Sequence, residues 1–124
     1  MSDSRQKFGK QSEAAALGYL EKNGYRILEQ NYRTQRGEID IIAQDGDTLV
    51  FAEVKSRKSK RFGTPKSAVS PEKQKKLSMA AVQWLKDRNC QNRKARFDVI
   101  TLFFPSKENQ PHIELIRNAF EFSI

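Results

Sequence analysis

Three residues near the middle of this 124-residue sequence have types that can work together on a phosphodiester: Asp40, Glu53 and Lys55. Carboxylates held close together repel and resist ionisation. A hard divalent cation removes that penalty, and oxygen ligands suit Mg²⁺ or Mn²⁺. Such a cation can polarise a phosphoryl oxygen and activate a water molecule. A neighbouring lysine can orient that water or neutralise charge on the phosphate. Glu13 supplies a further carboxylate.

The elements that must position these groups are a hairpin and a helix. Glu38 to Gln44 and Thr48 to Ser56 are β-rich, and Asp45-Gly46 between them predicts a two-residue turn. Strand side chains alternate faces. With that turn, Asp40 lies opposite Phe51 and Glu38 opposite Glu53. One face then carries Ile42, Leu49 and Phe51 near the turn, with Glu38, Asp40, Glu53 and Lys55 toward the open end. The other face carries Ile39, Ile41, Val50, Ala52 and Val54. Asp40 and Glu53 become diagonal neighbours, with Cα atoms about 7–8 Å apart or less. Acids and lysines at strand ends are ordinarily solvated, and the E-x-K spacing alone is short and common. Convergence of all three on one face is less routine.

A helix is expected from about Gln6 to Asn23, ended by Gly24. Glu13 shares its apolar stripe with Leu17 and Leu20 and so points toward the sheet. Tyr25 to Asn31 reads as a weak first strand, and Arg57 to Ser70 as a basic loop. Ser70-Pro71 opens a second helix that ends near Arg88 or Asn89, with Leu77, Ala80, Ala81, Trp84 and Leu85 toward a core. Lys73 sits one turn before Leu77, within reach of the interior, but the solvated start of that helix is the favoured placement. Arg96 to Phe104 reads as a buried strand, parallel to the second hairpin strand across the helical crossover. Ile113 to Ile116 reads as a shorter last strand. The class is α/β, a mixed β-sheet flanked by helices, in a single domain over residues 1–124.

From Lys55 to Lys76 there are nine basic residues opposed only by Glu72, which accounts for the whole net charge of +8. A local surplus of this kind is an electrostatic footprint for a polyanion. Cys90 is the only cysteine and His112 the only histidine, so an intramolecular disulfide and a Cys/His zinc site are excluded by count. The polar stretch from Met1 to Lys10 lacks the apolar core of a secretory signal. No apolar run approaches the roughly 20 residues of a membrane helix. A cytoplasmic location is expected.

The stretches Gly9 to Ala14 (GKQSEA), Gly24 to Arg33 (GYRILEQNYR), Gly37 to Ala43 (GEIDIIA), Leu49 to Arg57 (LVFAEVKSR) and Arg96 to Ile100 (RFDVI) carry a resemblance. The chain resembles the YraN-like family of uncharacterised bacterial proteins. That family is similar to PD-(D/E)xK nucleases, near the archaeal Holliday junction resolvases. The resemblance implies a restriction-endonuclease-like core. It maps the catalytic set onto Glu13, Asp40, Glu53 and Lys55, with Glu13, Asp40 and Glu53 as Mg²⁺ or Mn²⁺ ligands. Ile39 stands where the wider superfamily often has proline. A homodimer is also implied, although no sequence feature requires one.

The expected function is metal-dependent endonucleolytic hydrolysis of DNA, on branched or single-stranded substrates. The alternative is a non-catalytic nucleic-acid-binding module with a nuclease-like fold. Contacts to nucleic acid are expected from Arg33, Arg36, Arg57, Lys58, Lys60, Arg61 and Lys73. Membrane-surface binding by the basic segment ranks lower, because that segment has few apolar anchors.

Overall fold

The computed structural model describes residues 3–57, 69–105 and 110–123. The chain runs α1 (Asp3–Lys22), β1 (Arg26–Arg33), β2 (Glu38–Asp45), β3 (Thr48–Arg57), α2 (Pro71–Asp87), β4 (Lys94–Phe103) and β5 (His112–Phe120). The five strands form one sheet in sequence order. All neighbours pair antiparallel except β3 and β4, which are parallel across α2. The last strand is longer than its sequence pattern implied.

Both helices stop in the same way. At the end of α1, Gly24 takes a φ of +87°. Its N–H reaches the Glu21 carbonyl at 3.1 Å, and the Tyr25 N–H reaches Leu20 at 3.0 Å. This is the Schellman pattern, with glycine where a Cβ would be strained. At the end of α2, Asn89 takes that position with φ 54°, and Cys90 donates to Leu85 at 2.8 Å. The start of α2 is capped by Ser70, whose hydroxyl accepts from the Lys73 N–H at 3.2 Å, with Pro71 in the first turn.

Strand alternation divides the core between the two sheet faces. Ala16 and Leu20 of α1 pack against Ile41, Ala43, Val50, Ala52, Ile100 and Leu102. Leu77, Ala80, Ala81 and Trp84 of α2 pack against Ile42, Leu49, Phe51, Phe97 and Val99. The sheet is thus covered on both faces, as a mixed sheet with a parallel pair requires. No helix among the described residues is long and apolar enough to cross a membrane.

The hairpin turn falls one residue later than its composition predicts. Asp45 pairs with Thr48, leaving Gly46 and Asp47 as the loop. Only Gly46 of these two has a positive φ, 62°, which matches a type II′ turn with glycine first. A tertiary contact explains the choice. The Asp45 carboxylate accepts from the Arg96 guanidinium at 2.7 Å, which holds Asp45 in the strand.

Candidate active site

Three of the expected residues, Glu13, Asp40 and Glu53, are drawn to one end of the sheet, by a different route from simple alternation. The β2–β3 pairing runs from Asp45–Thr48 to Ile41–Ala52. At the next position the Asp40 carboxylate itself accepts the Val54 N–H, at 2.8 Å. On β1, Asn31 adopts φ 52° between Gln30, which pairs with Ile41, and Tyr32, which pairs with Ile39. Alternation is lost here on both strands. Ile39 joins the α2-side cluster together with Ile42, three residues on. Glu29 and Tyr32 of β1 both face α2 as well: Glu29 accepts from Trp84 Nε1 at 3.0 Å, and Tyr32 packs on the α2-side cluster.

The break corrects the expected face assignment. Ile39 lies on the α2 side, not with Ile41. Asp40 turns toward α1 and lines a cleft of about 180 Å³ with Gly9, Ser12, Glu13, Val54 and Ser56. Ser12 and Ser56 hydroxyls hydrogen-bond across it at 2.5 Å, tying α1 to β3. Glu13 reaches this cleft as its helical stripe predicted. Its Oε1 is buried and has no hydrogen-bond partner among the described residues. A buried carboxylate oxygen ordinarily has one.

Glu53 is 4% exposed and lies against the other helix. Its Oε2 is 2.8 Å from Lys73 Nζ. Lys73 stays at the exposed start of α2, as expected, but its ammonium reaches back to Glu53: a buried carboxylate needs a counter-charge, and the first turn of α2 supplies it. Asp40 links the two sides by hydrogen bonding with Glu53. Burial first, then the hydrogen bond and charge of Glu53, push Asp40 up to about 7, against the lowering effects of the Val54 N–H and Lys73.

Lys55 follows Glu53 by two on the regular β3–β4 ladder, opposite Thr101, so it shares the Glu53 face; it is exposed. Arg57 is drawn toward β5, 3.6 Å from Glu114. Arg33 is at the surface, 3.3 Å from Glu38. Arg36 is exposed in the β1–β2 loop. Lys58, Lys60 and Arg61 lie outside the described residues.

Sequence reasoning missed a buried polar network at the other end of the sheet. Asp98, fully buried, accepts from Tyr25 Oη at 2.8 Å, Arg96 Nε at 3.0 Å and the Asn118 N–H at 2.9 Å. Arg117 Nε donates to Tyr25 Oη at 3.0 Å. The network ties β4 to β5 and to the α1–β1 connection. Its sequence signal was the charged pair Arg96 and Asp98 within the stretch RFDVI, in a strand whose other central residues are largely apolar.

The donor chemistry at Asp40, Glu53 and Glu13 fits a hard divalent cation, being carboxylate oxygen throughout, with one buried oxygen lacking a partner. Among the described residues no three acidic, histidine or cysteine side chains form a preassembled metal cage. Glu53 is instead engaged by Lys73.

The five-stranded mixed sheet, flanked by two helices, is consistent with a restriction-endonuclease-like α/β fold. The chain belongs to the uncharacterised protein family UPF0102, whose profile matches residues 12–102. This is the YraN-like family its sequence stretches resemble. A UPF0102 protein of Syntrophus aciditrophicus is 50% identical over 115 residues, covering 93% of this chain and 89% of the relative. One from Desulfosudis oleivorans is 44% identical over 124 residues, covering 100% of this chain and 98% of the relative. One from Geobacter metallireducens is 46% identical over 123 residues, covering 99% of both.

Proposed function

We propose that this protein is a metal-dependent endonuclease of the PD-(D/E)xK type, acting on branched or single-stranded DNA in the cytoplasm. The observation that carries this reading is the Asp40–Glu53 carboxylate pair, with Glu13 Oε1, unpartnered among the described residues, lining one cleft with Asp40. Isolated structural acids gain nothing from such grouping, because like charges raise the cost of ionising each other.

In this reading Asp40, Glu53 and Glu13 would hold Mg²⁺ or Mn²⁺, which would supply Lewis acidity toward a phosphoryl oxygen and ease water deprotonation. Lys55, beyond Glu53 on the same strand face, orients the attacking water and neutralises charge developing on the phosphate. The basic segment after β3, with Lys58, Lys60 and Arg61, holds the nucleic-acid backbone through nonspecific charge. Arg33, Arg36 and Arg57 extend that contact, and a homodimer would place two such sites on one substrate.

The test is cleavage of a panel of four-way junction, flap, single-stranded and duplex DNA with Mg²⁺ or Mn²⁺. Cleavage that needs the metal and is lost in Asp40→Asn supports the reading. One observation favours a second reading, a binding module without hydrolysis: Glu53 already has a counter-ion in Lys73. Binding of the same DNA panel with no cleavage under either metal would select it.

A further inference from the structure

The Lys73–Glu53 contact bears directly on how a cation reaches the site. We infer that Lys73 is a resident counter-ion that a divalent cation displaces from Glu53, so metal binding is an exchange of one cation for another; this rests on the metal site proposed above.

Four observations carry it. The Glu53 side chain is 5% exposed, whereas that of Lys73 is 48% exposed. A carboxylate so buried cannot be left without a cation, because an uncompensated interior charge costs several kcal/mol. The ammonium, by contrast, has water at hand as soon as it lets go. Second, Lys73 Nζ sits 2.8 Å from Glu53 Oε2, within the space a metal ligand must open. Third, Lys73 is in the first turn of a helix pinned by the Ser70 cap and Pro71. Its release needs rotation of an unbranched side chain and no movement of the backbone. Fourth, three carboxylates, Glu53, Asp40 and Glu38, lie near enough to the ammonium to attract it.

The charge balance favours the exchange. Lys73 brings one positive charge to Glu53, which sits with a second carboxylate, Asp40. A divalent cation brings two. It satisfies both carboxylates and returns the ammonium to solvent. Among the described residues the acids do not form a finished metal cage; Lys73 holds the position until a cation of higher charge arrives. Lys73 is thus a positioning residue that keeps Glu53 ionised and oriented in the metal-free protein.

The test is calorimetric titration of Mn²⁺ into the wild type, Lys73→Met and Lys75→Met, without nucleic acid. Methionine keeps the unbranched stem and removes the charge. Lys75 is an exposed neighbour that controls for general charge. The expected result is Mn²⁺ affinity about tenfold tighter in Lys73→Met, within the usual range of coupling between sites, with Lys75→Met close to wild type. Equal or weaker affinity in Lys73→Met, or the same gain in both variants, overturns the exchange and leaves the metal site standing. No Mn²⁺ binding by any of the three overturns the metal site and the exchange together. A second measurement uses the wild type alone, so it stands even if Lys73→Met does not fold. Mg²⁺ titration followed by NMR of the Lys73 ε-methylene should shift that signal toward those of solvated lysines. A signal unmoved at saturating Mg²⁺ overturns the exchange.

Discussion

The Val54 backbone N–H donates to Asp40 Oδ2 at 2.8 Å, so a side chain takes the place of a strand partner where β2 and β3 stop pairing. One oxygen of Asp40 is thereby fixed by the backbone, and the carboxylate is aimed by the fold. Asparagine can accept the same hydrogen bond through its amide oxygen. Asp40→Asn is therefore expected to fold like wild type. It should weaken Mn²⁺ binding by about 100-fold or more, beyond the loss usual for residues behind the ligands. Circular dichroism with calorimetric titration checks both halves. Unchanged Mn²⁺ affinity would remove Asp40 from the site.

Stability of the metal-free protein should fall as pH rises from about 4 to about 7, and Asp40 fixes the sign. Its carboxyl titrates at about 7 in the fold against an ordinary value of 3.8. Between those limits the folded state holds a proton that the unfolded state has released, so rising pH favours unfolding. The loss is complete above about 7 and amounts to a few kcal/mol at most. Urea denaturation across this range should show the decline in wild type and a flatter profile in Asp40→Asn. Saturating Mg²⁺ should stabilise the wild type more at pH 8 than at pH 5.5, because it binds the ionised site. A Mg²⁺ effect independent of pH would contradict this account.

A Cβ on Gly37 would lie 2.6 Å from the Lys76 carbonyl oxygen. The β1–β2 loop therefore rests directly on the α2 backbone, closed internally by Thr34, whose N–H reaches the Gly37 carbonyl at 2.8 Å. Gly37→Ala must push loop and helix apart and should cost about 1–3 kcal/mol, as overpacking does. A denaturant midpoint equal to wild type would show that the loop moves without resistance.

Lys55 separates chemistry from binding. Lys55→Ala should lower single-turnover cleavage by about 100-fold or more, as loss of a transition-state donor does, with little change in DNA affinity. Lys55→Arg should restore it only partly, since guanidinium differs in shape and holds its proton. Lys58→Ala is the comparison. Matching rates for Lys55→Ala and Lys58→Ala would reduce Lys55 to one more phosphate contact.

The basic segment should set the salt dependence of binding. Replacing Lys58, Lys60 and Arg61 with Ala spares Arg57, which pairs with Glu114. With Z phosphate contacts the logarithmic slope is about −0.9Z on duplex and about −0.7Z on single strands, so losing contacts flattens it. An unchanged slope would place the DNA contacts elsewhere.

Much of this protein was legible in its sequence because the signals are local. The hairpin followed from β-rich runs flanking Asp45-Gly46, the start of α2 from Ser70-Pro71, and the parallel β3–β4 pair from an intervening helix. The inward aim of Glu13 followed from its spacing to Leu17 and Leu20. Asp40 and Glu53 were expected together by strand alternation, but they meet where that alternation breaks. Three features were not legible, and each depends on a contact between residues far apart in the chain. The turn moved by one residue because Arg96 holds Asp45 in the strand. Ile39 and Asp40 changed faces because alternation breaks on β1 and β2 together, with Glu29 and Tyr32 both facing α2. The Lys73 ammonium pairs with Glu53 because Glu53 is buried beneath the start of α2, while the lysine side chain itself stays half-exposed. Periodicity describes a strand or helix by itself. It carries no information on which buried charge will meet which helix turn, and that pairing is decided only when the layers pack.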